Sequence, residues 1–296
     1  MRRGKLKRMI DIGFTVCRRA GIPLYWSKYS KKTYTLHQHL LILALCAHFG
    51  WSMDRMLEFI EEDAYLRSLL RLRSVPHKST LSRFKDRVPT AWFSFVFRRI
   101  NEFVGGSAGR FAVDATGMRI SKRSFYYTQK IGKKMKIREC MKLHAVLDID
   151  TQIIVAALVT EFRKHDAPML IPLLESVDSV REVYADKGYD SLRNIEYVVR
   201  RGGQPFIAVR KNARKGLRKR ILKQMRSPEW KKKHGKRNRI ECTFRTLKTV
   251  YGDHVYAHSF KAAVKFVLFK ILAYNLYTCH LPFLIHQISC FSRNST

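Results

Sequence analysis

The stretch RNRIECTFRTLK, residues 237–248, holds one carboxylate, Glu241, among four arginines and lysines. On a helix each residue advances about 100°, so with Arg237 at zero Glu241 falls at about 40°, Lys248 at about 20° and His234 at about 60°. These four share one narrow stripe, and Ile240, Phe244, Leu247 and Tyr251 form an apolar flank beside it. Such a helix buries its flank and offers a carboxylate between cations along its edge. Taken alone, the glutamate reads as one half of a surface ion pair.

Two further carboxylates change that reading. Asp114 ends the apolar run FAVDATG and Asp186 ends EVYADKGYD. Both runs read as buried strands, and a charge at the tip of a buried strand is costly unless it is paired or binds a metal. Each aspartate alone also reads as a cap or turn residue, as do Asp148, Asp150 and Asp190, while Asp166 reads as the cap of DAPMLIPLLESV. Three acids on one sheet-and-helix frame, in a chain of formal charge +35, point to divalent cations holding a phosphodiester. Hard oxygen ligands suit Mg²⁺, which keeps waters and takes substrate oxygens as further ligands.

The elements that must hold these acids follow from the patterning. VGGSAGR, residues 104–110, marks a change from helical to strand-rich sequence and hence a boundary between a helical region 1–104 and a second domain 105–296. In the second domain RFAVDAT, MKLHAVLDID and TQIIVAALVT read as strands, followed by DAPMLIPLLESV as a helix. REVYADKGY and QPFIAVR then read as strands around the helix SLRNIEYVVRRG. Antiparallel strands first, then strands alternating with helices, predict an α/β fold: a mixed sheet flanked by helices. In the first region TLHQHLLILALCAHFG and SMDRMLEFIEED read as helices, the latter with Ser52 as cap. Ser79 or Thr80 is expected to cap the helix carrying Lys78, Arg83, Lys85 and Arg87. That arrangement suits a helix-turn-helix-like DNA contact or, equally, a bundle with a solvated basic face.

Composition sets the class of partner. Lys and Arg number 58 against 23 Asp and Glu, spread along the whole chain, and an apolar share of 46% fills a real core. The expected partner is a polyanion, which favours a nucleic-acid enzyme or regulator. The basic excess is densest at about 211–236. There Trp230 among Lys231, Lys232 and Lys233 reads either as part of a phosphate-tracking surface with a ring for a displaced base, or as a solvated connector. The six cysteines are scattered without a C-x-x-C pair, and read as reduced thiols. No signal peptide is expected, and the late run FVLFKILAYNLYTCHLPFLIHQI, interrupted by Lys270, His280 and Pro282, reads as a core helix and not a membrane span. The expected location is the cytoplasm, with the nucleoid.

Asp114, Asp186 and Glu241 together resemble the catalytic D, D and E of prokaryotic insertion-sequence transposases with an RNase H-like core, in the group numbered four and five. That group carries a tyrosine, arginine, glutamate, lysine signature; Arg237, Glu241 and Lys248 match its spacing, and His234 stands where the tyrosine is expected. The resemblance spans about residues 105–280, with the N-terminal helices fitting the group's DNA-binding region in outline. It implies two Mg²⁺ ions, or Mn²⁺ in their place, held by Asp114, Asp186 and Glu241. Arg237 and Lys248 would hold phosphates near the scissile bond, with His234 positioning a phosphate or packing. The implied partners are double-stranded DNA, as terminal inverted repeats and target, and a second copy in a homodimeric active complex. Competing readings are a silent DNA-binding relic that represses, or a structure-specific nuclease on the same core.

Overall fold

The computed structural model describes residues 3–106, 108–121, 139–257 and 259–279. Pro282, Cys290 and the rest of the late apolar run lie outside the described residues. The chain divides into two compact units, Gly105–Ser259 and a helical unit made of Met1–Val104 with the segment from Phe260 onward.

The helical unit begins with α1 (Arg3–Arg19), α2 (Leu36–Phe49), α3 (Met53–Glu62) and α4 (Ala64–Leu69), followed by α5 (Lys78–Arg87) and α6 (Thr90–Phe103). Thr35 starts α2 with a capping box: its hydroxyl accepts from the Gln38 N–H, while the Gln38 side chain accepts from the Thr35 N–H. Gly50, at a left-handed φ of 67°, ends it. Ser52 caps α3 by accepting from the Arg55 N–H. The cap of α5 is neither Ser79 nor Thr80 but His77, whose Nδ1 accepts from the Ser79 N–H. An imidazole acceptor does there what the expected hydroxyls would have done.

The last described helix, α12 (Phe260–Thr278), packs on α2 and α6 and so belongs to the helical unit, not to the 105–296 domain expected from sequence. Phe269 meets Phe93 edge to face at 5.0 Å between ring centroids, and Tyr277 lies 5.2 Å from His48. Apolar on all sides, α12 shows no polar face that would have revealed its neighbours from sequence. Lys265 and Lys270 lie buried in it, and the Lys265 ammonium donates to the Asp86 carbonyl. Among the described residues no single helix is long and apolar enough to cross a membrane.

The other unit is a mixed six-stranded sheet. β1 (Arg110–Ser121) pairs antiparallel with β2 (Glu139–Asp148), which pairs antiparallel with β3 (Ile154–Glu161). On its other side β1 pairs in parallel with β4 (Glu182–Ala185), and β4 with β5 (Gln204–Ile207). The order is thus β3-β2-β1-β4-β5, with the short β6 (His254–Tyr256) beside the far end of β1. This is the mixed sheet flanked by helices that the strand and helix order predicts. Its interior is the run of Ala112, Val113, Leu143, Ala145, Val146, Ile154 and Val183, each at most 1% exposed. Strands covered on both faces read as such near-continuous apolar runs.

Helices flank the sheet: α7 (Leu170–Leu174), α8 (Leu192–Arg200), α9 (Gly216–Gln224), α10 (Pro228–His234) and α11 (Asn238–Tyr251). The basic segment is therefore largely helical across α9 and α10. Asp166 does not cap the segment after it; its carboxylate pairs with the Lys142 ammonium at 3.0 Å, because the backbone there turns into a 3-10 turn at Ala167–Met169 with no side-chain cap. Asp148 accepts from the Asp150 and Thr151 N–H groups of the β2–β3 turn, and Asp190 is clamped by Arg218, as turn residues should be.

Candidate active site

Strand register brings the two aspartates together. Val113 of β1 pairs with Ala185 of β4, and one residue further on each strand stand Asp114 and Asp186. The sequence reading ended β1 at Asp114, whereas the strand runs on to Ser121; what ends there is the pairing with β4. The next partner on that edge, β6, begins opposite Arg119, so the sheet opens between β4 and β6 at the aspartate. In that opening the Ala115 N–H donates to Asp114 Oδ1 at 2.8 Å.

Glu241 arrives from α11. Its apolar flank is buried as patterned: Ile240, Phe244, Leu247 and Tyr251 are all interior, and the helix packs on β1 and β2. Burying four such side chains contributes roughly 1.5–3 kcal/mol each, which seats the helix on the sheet and fixes the direction of the opposite edge. The 3-10 turn Gly235–Arg237 leads into α11 and packs on β1 and β4.

Arg237 joins the acids. Its Nη1 donates to Asp114 Oδ2 at 2.9 Å and its Nη2 lies 2.6 Å from Glu241 Oε1. The planar guanidinium suits such a double contact, since its donors are held in a fixed fork. Burial raises the Asp114 pKa above the ordinary carboxylate value. The Ala115 N–H and Arg237 pull it back down, and the negative charges of Glu241 and Asp186 push it further up. Asp114 thus feels the charges of both other acids.

His234 lies at the end of α10, separated from α11 by the 3-10 turn, so the helical stripe of the sequence reading is interrupted between it and Arg237. Its Nε2 donates to the Ala185 carbonyl, at 3.2 Å, beside Asp186. Burial lowers its pKa, so the ring is held neutral. Trp230 stacks on this imidazole at 4.6 Å and an angle of 12°, with Phe206 behind it. At 7% exposure Trp230 is an interior ring; the expectation that it stacks on a displaced base gives way to a packing role. Lys231 and Lys232 are exposed, whereas Lys233 pairs with Glu182 at 3.1 Å. Lys248 is half-buried on the Glu241 side of α11.

Sequence reasoning missed Tyr189. It is 1% exposed, its hydroxyl has no hydrogen-bond partner among the described residues, and burial raises its pKa together with the charges of Asp166, Asp114 and Asp186. The signal was present in ADKGYD: an aromatic hydroxyl inside the turn that follows a strand-end acid.

The donor set fits a hard divalent cation. Its ligands are carboxylate oxygens, and their mutual repulsion is of the kind a bound cation relieves. Among the described residues no group of three or more His, Cys, Asp or Glu side chains is placed to hold a metal ion, so these acids as they stand would supply only part of a shell, with water and phosphate oxygens for the rest.

The mixed sheet thus opens at a carboxylate where its parallel strand departs, with Arg237 forked between that carboxylate and Glu241. Residues 105–276 match the family described as "Transposase DDE domain", and the chain belongs to that family. Residues 2–87 match a "Transposase domain (DUF772)". The protein is accordingly an insertion-sequence DNA transposase, an enzyme that cuts DNA and transfers strands, and its family uses divalent metal ions. A cryo-EM structure of a piggyBac transposase synaptic complex with hairpin DNA is similar at a TM-score of 0.45 and 13% identity, over 92% of this chain and 73% of that one. No curated protein matches the chain.

Proposed function

We propose that Asp114, Asp186 and Glu241 form the catalytic centre with which this transposase cuts at the terminal inverted repeats of its element and joins the freed ends to target DNA. The observation that carries this reading is the Arg237 fork between Asp114 and Glu241, with Asp186 one register step from Asp114 on the neighbouring strand. These carboxylates would hold two Mg²⁺ ions, which would supply an activated water or 3′ hydroxyl and neutralise charge at the leaving oxygen.

The chain's own residues set the geometry. Arg237 orients two of the acids and, being cationic, draws a phosphate toward them. Lys248 holds a neighbouring phosphate from the same helix edge. His234, pinned by Trp230 and by the Ala185 carbonyl, steadies the end of β4 that bears Asp186. Lys231 and Lys232 track the backbone further out. The active complex is a homodimer holding two element ends, and it works on double-stranded DNA in the cytoplasm.

The test is a strand-transfer assay with a labelled duplex carrying the repeat that flanks the gene, an unlabelled target duplex and Mg²⁺. The reading expects a nick at the repeat end and a labelled joint product. Cleavage without joining would make the centre that of a nuclease, and binding without cleavage would make the chain a repressor.

A further inference from the structure

We propose that the helical unit carries a receptor for a single unpaired nucleotide of DNA, in the pocket between Trp26, His39 and Arg83. The proposal rests on the DNA-acting reading above and adds a ligand site remote in sequence from the acids. The pocket has a volume of about 300 Å³ and lies wholly within residues 25–87. Its aromatic walls are Trp26, Tyr34 and Phe84; Lys31, Arg83 and Arg87 add three cations, and among the described residues no acid lines it.

Trp26 has the attributes of a stacking platform. Its indole is held against Trp92, with centroids 5.4 Å apart and planes 23° from parallel, yet 41% of the residue stays exposed. The same ring tilts against Phe84 at 6.1 Å, and a platform so held yet still partly open accepts a base at low entropic cost, since every base offers a π face. His39 contributes the second observation. It is 6% exposed, packs between Tyr34 and Phe84, and among the described residues neither ring nitrogen has a hydrogen-bond partner. Burial drives its pKa down to about 4, so the ring is neutral, with one nitrogen donating and the other accepting. A buried polar ring left unsatisfied is costly, and a nucleobase edge offers the complementary donors and acceptors.

The cations complete the match. Arg83 and Arg87 stand four residues apart on α5, both exposed, where the phosphate attached to a seated base would emerge. A paired base cannot enter a concave pocket without leaving its stack. An unpaired nucleotide at a separated element end can.

The test uses the full chain in EDTA, so that nothing is cut. Its probes are a duplex bearing one unpaired 2-aminopurine as a bulge and the same duplex fully paired. The proposal expects about tenfold tighter binding of the bulged duplex and quenching of the 2-aminopurine emission on Trp26. Trp26→Ala should bring the affinity ratio to about one and abolish the quench, and Trp26→Phe should restore both. His39→Phe buries no unpaired nitrogen, so it should keep or raise the melting temperature while lowering the ratio a few-fold; a purely structural histidine would leave the ratio untouched. Equal affinities for the two duplexes, or a preference that survives Trp26→Ala, would overturn the receptor. A chain that binds paired DNA and transfers strands but ignores the bulge loses this proposal alone, whereas one that binds neither duplex loses the DNA-acting reading with it.

Discussion

Two places in this molecule crowd polar groups, one half-buried and one buried, and they satisfy them in opposite ways. At the opening of the sheet Asp114 has an N–H, a guanidinium and two repelling carboxylates around it. In the helical pocket His39 has aromatic rings and no partner. The first is an over-supplied anionic centre whose excess charge calls for cations; the second is an under-supplied neutral one that calls for hydrogen bonds. A charge imbalance of the first kind fits the handling of a reacting phosphate, and a vacancy of the second kind fits holding a base. The first chemistry suits a DNA backbone and the second a base.

The largest expected effect lies at the anionic centre. Asp114→Ala, Asp186→Ala and Glu241→Ala should each lower single-turnover cleavage of terminal-repeat DNA by at least about a thousandfold, since each removes a ligand from the charge-stabilising site. Binding should persist, because many other cations maintain it. Any one of the three cleaving near the wild-type rate would leave the centre without that residue.

Next come the cations beside it. Arg237→Ala and Lys248→Ala should bind within a few-fold of wild type but cleave at least about tenfold more slowly, a loss of roughly 1.4 kcal/mol in the barrier. Arg237→Lys keeps the charge and loses the fork, so it should recover only part of that rate. Unchanged single-turnover rates at saturating protein would reduce both residues to structural partners of the acids.

Further from the chemistry, Lys231 and Lys232 should separate from Lys233. Neutralising the first two should flatten the slope of log affinity against log salt by about two, since each phosphate contact contributes roughly 0.9. Lys233→Ala should barely move the slope and cost at most about 1 kcal/mol of stability, because its ammonium is partly exposed and already paired with Glu182. A triple variant no different from wild type in slope would turn this face into a solvated one.

The smallest effect is a stability shift with pH. The Asp114 pKa is raised on folding, so the stabilisation tied to its protonation is fully present below the ordinary aspartate range. It is lost as pH rises through the raised value. In chelator, Asp114→Asn should therefore melt slightly higher than wild type near neutral pH, with the two converging in acid. A variant that melts lower at neutral pH would mean that the Arg237 contact outweighs burial and repulsion.

The sheet unit was the more legible of the two regions because its physics is periodic. Alternating and continuous apolar runs announced β1 to β5, and the flank of α11 fell where a helical projection puts it. Asp114 and Asp186 stood out because acids at the ends of buried runs are expensive in any chain, and Glu241 because it is the one carboxylate on a cationic helix stripe. The fork of Arg237 to Asp114 could not be read, since it depends on how a helix entry is seated over a strand far away in sequence. Trp230 misled because lysines beside it suggested an exposed ring, whereas it packs on Phe206 of β5 and on His234 one turn along its own helix. β6, three residues long, carries no period at all. In the helical unit α2 and α12 are buried all round, so no stripe told which neighbours they meet, and His39 vanished among leucines. Its pocket exists only once α2, α5 and the loop bearing Trp26 are assembled.

The central claim, that residues from β1, the end of β4 and α11 hold divalent cations at one point, is tested most directly by replacing Mg²⁺ with Fe²⁺ and generating hydroxyl radicals at the bound metal with ascorbate and peroxide. Radicals cut the polypeptide close to where the metal sits. The account predicts chain cleavage next to Asp114, Asp186 and Glu241 together, suppressed by excess Mg²⁺ and lost in Asp114→Ala. Cuts confined to one of these segments, or clustered elsewhere in the chain, would contradict it.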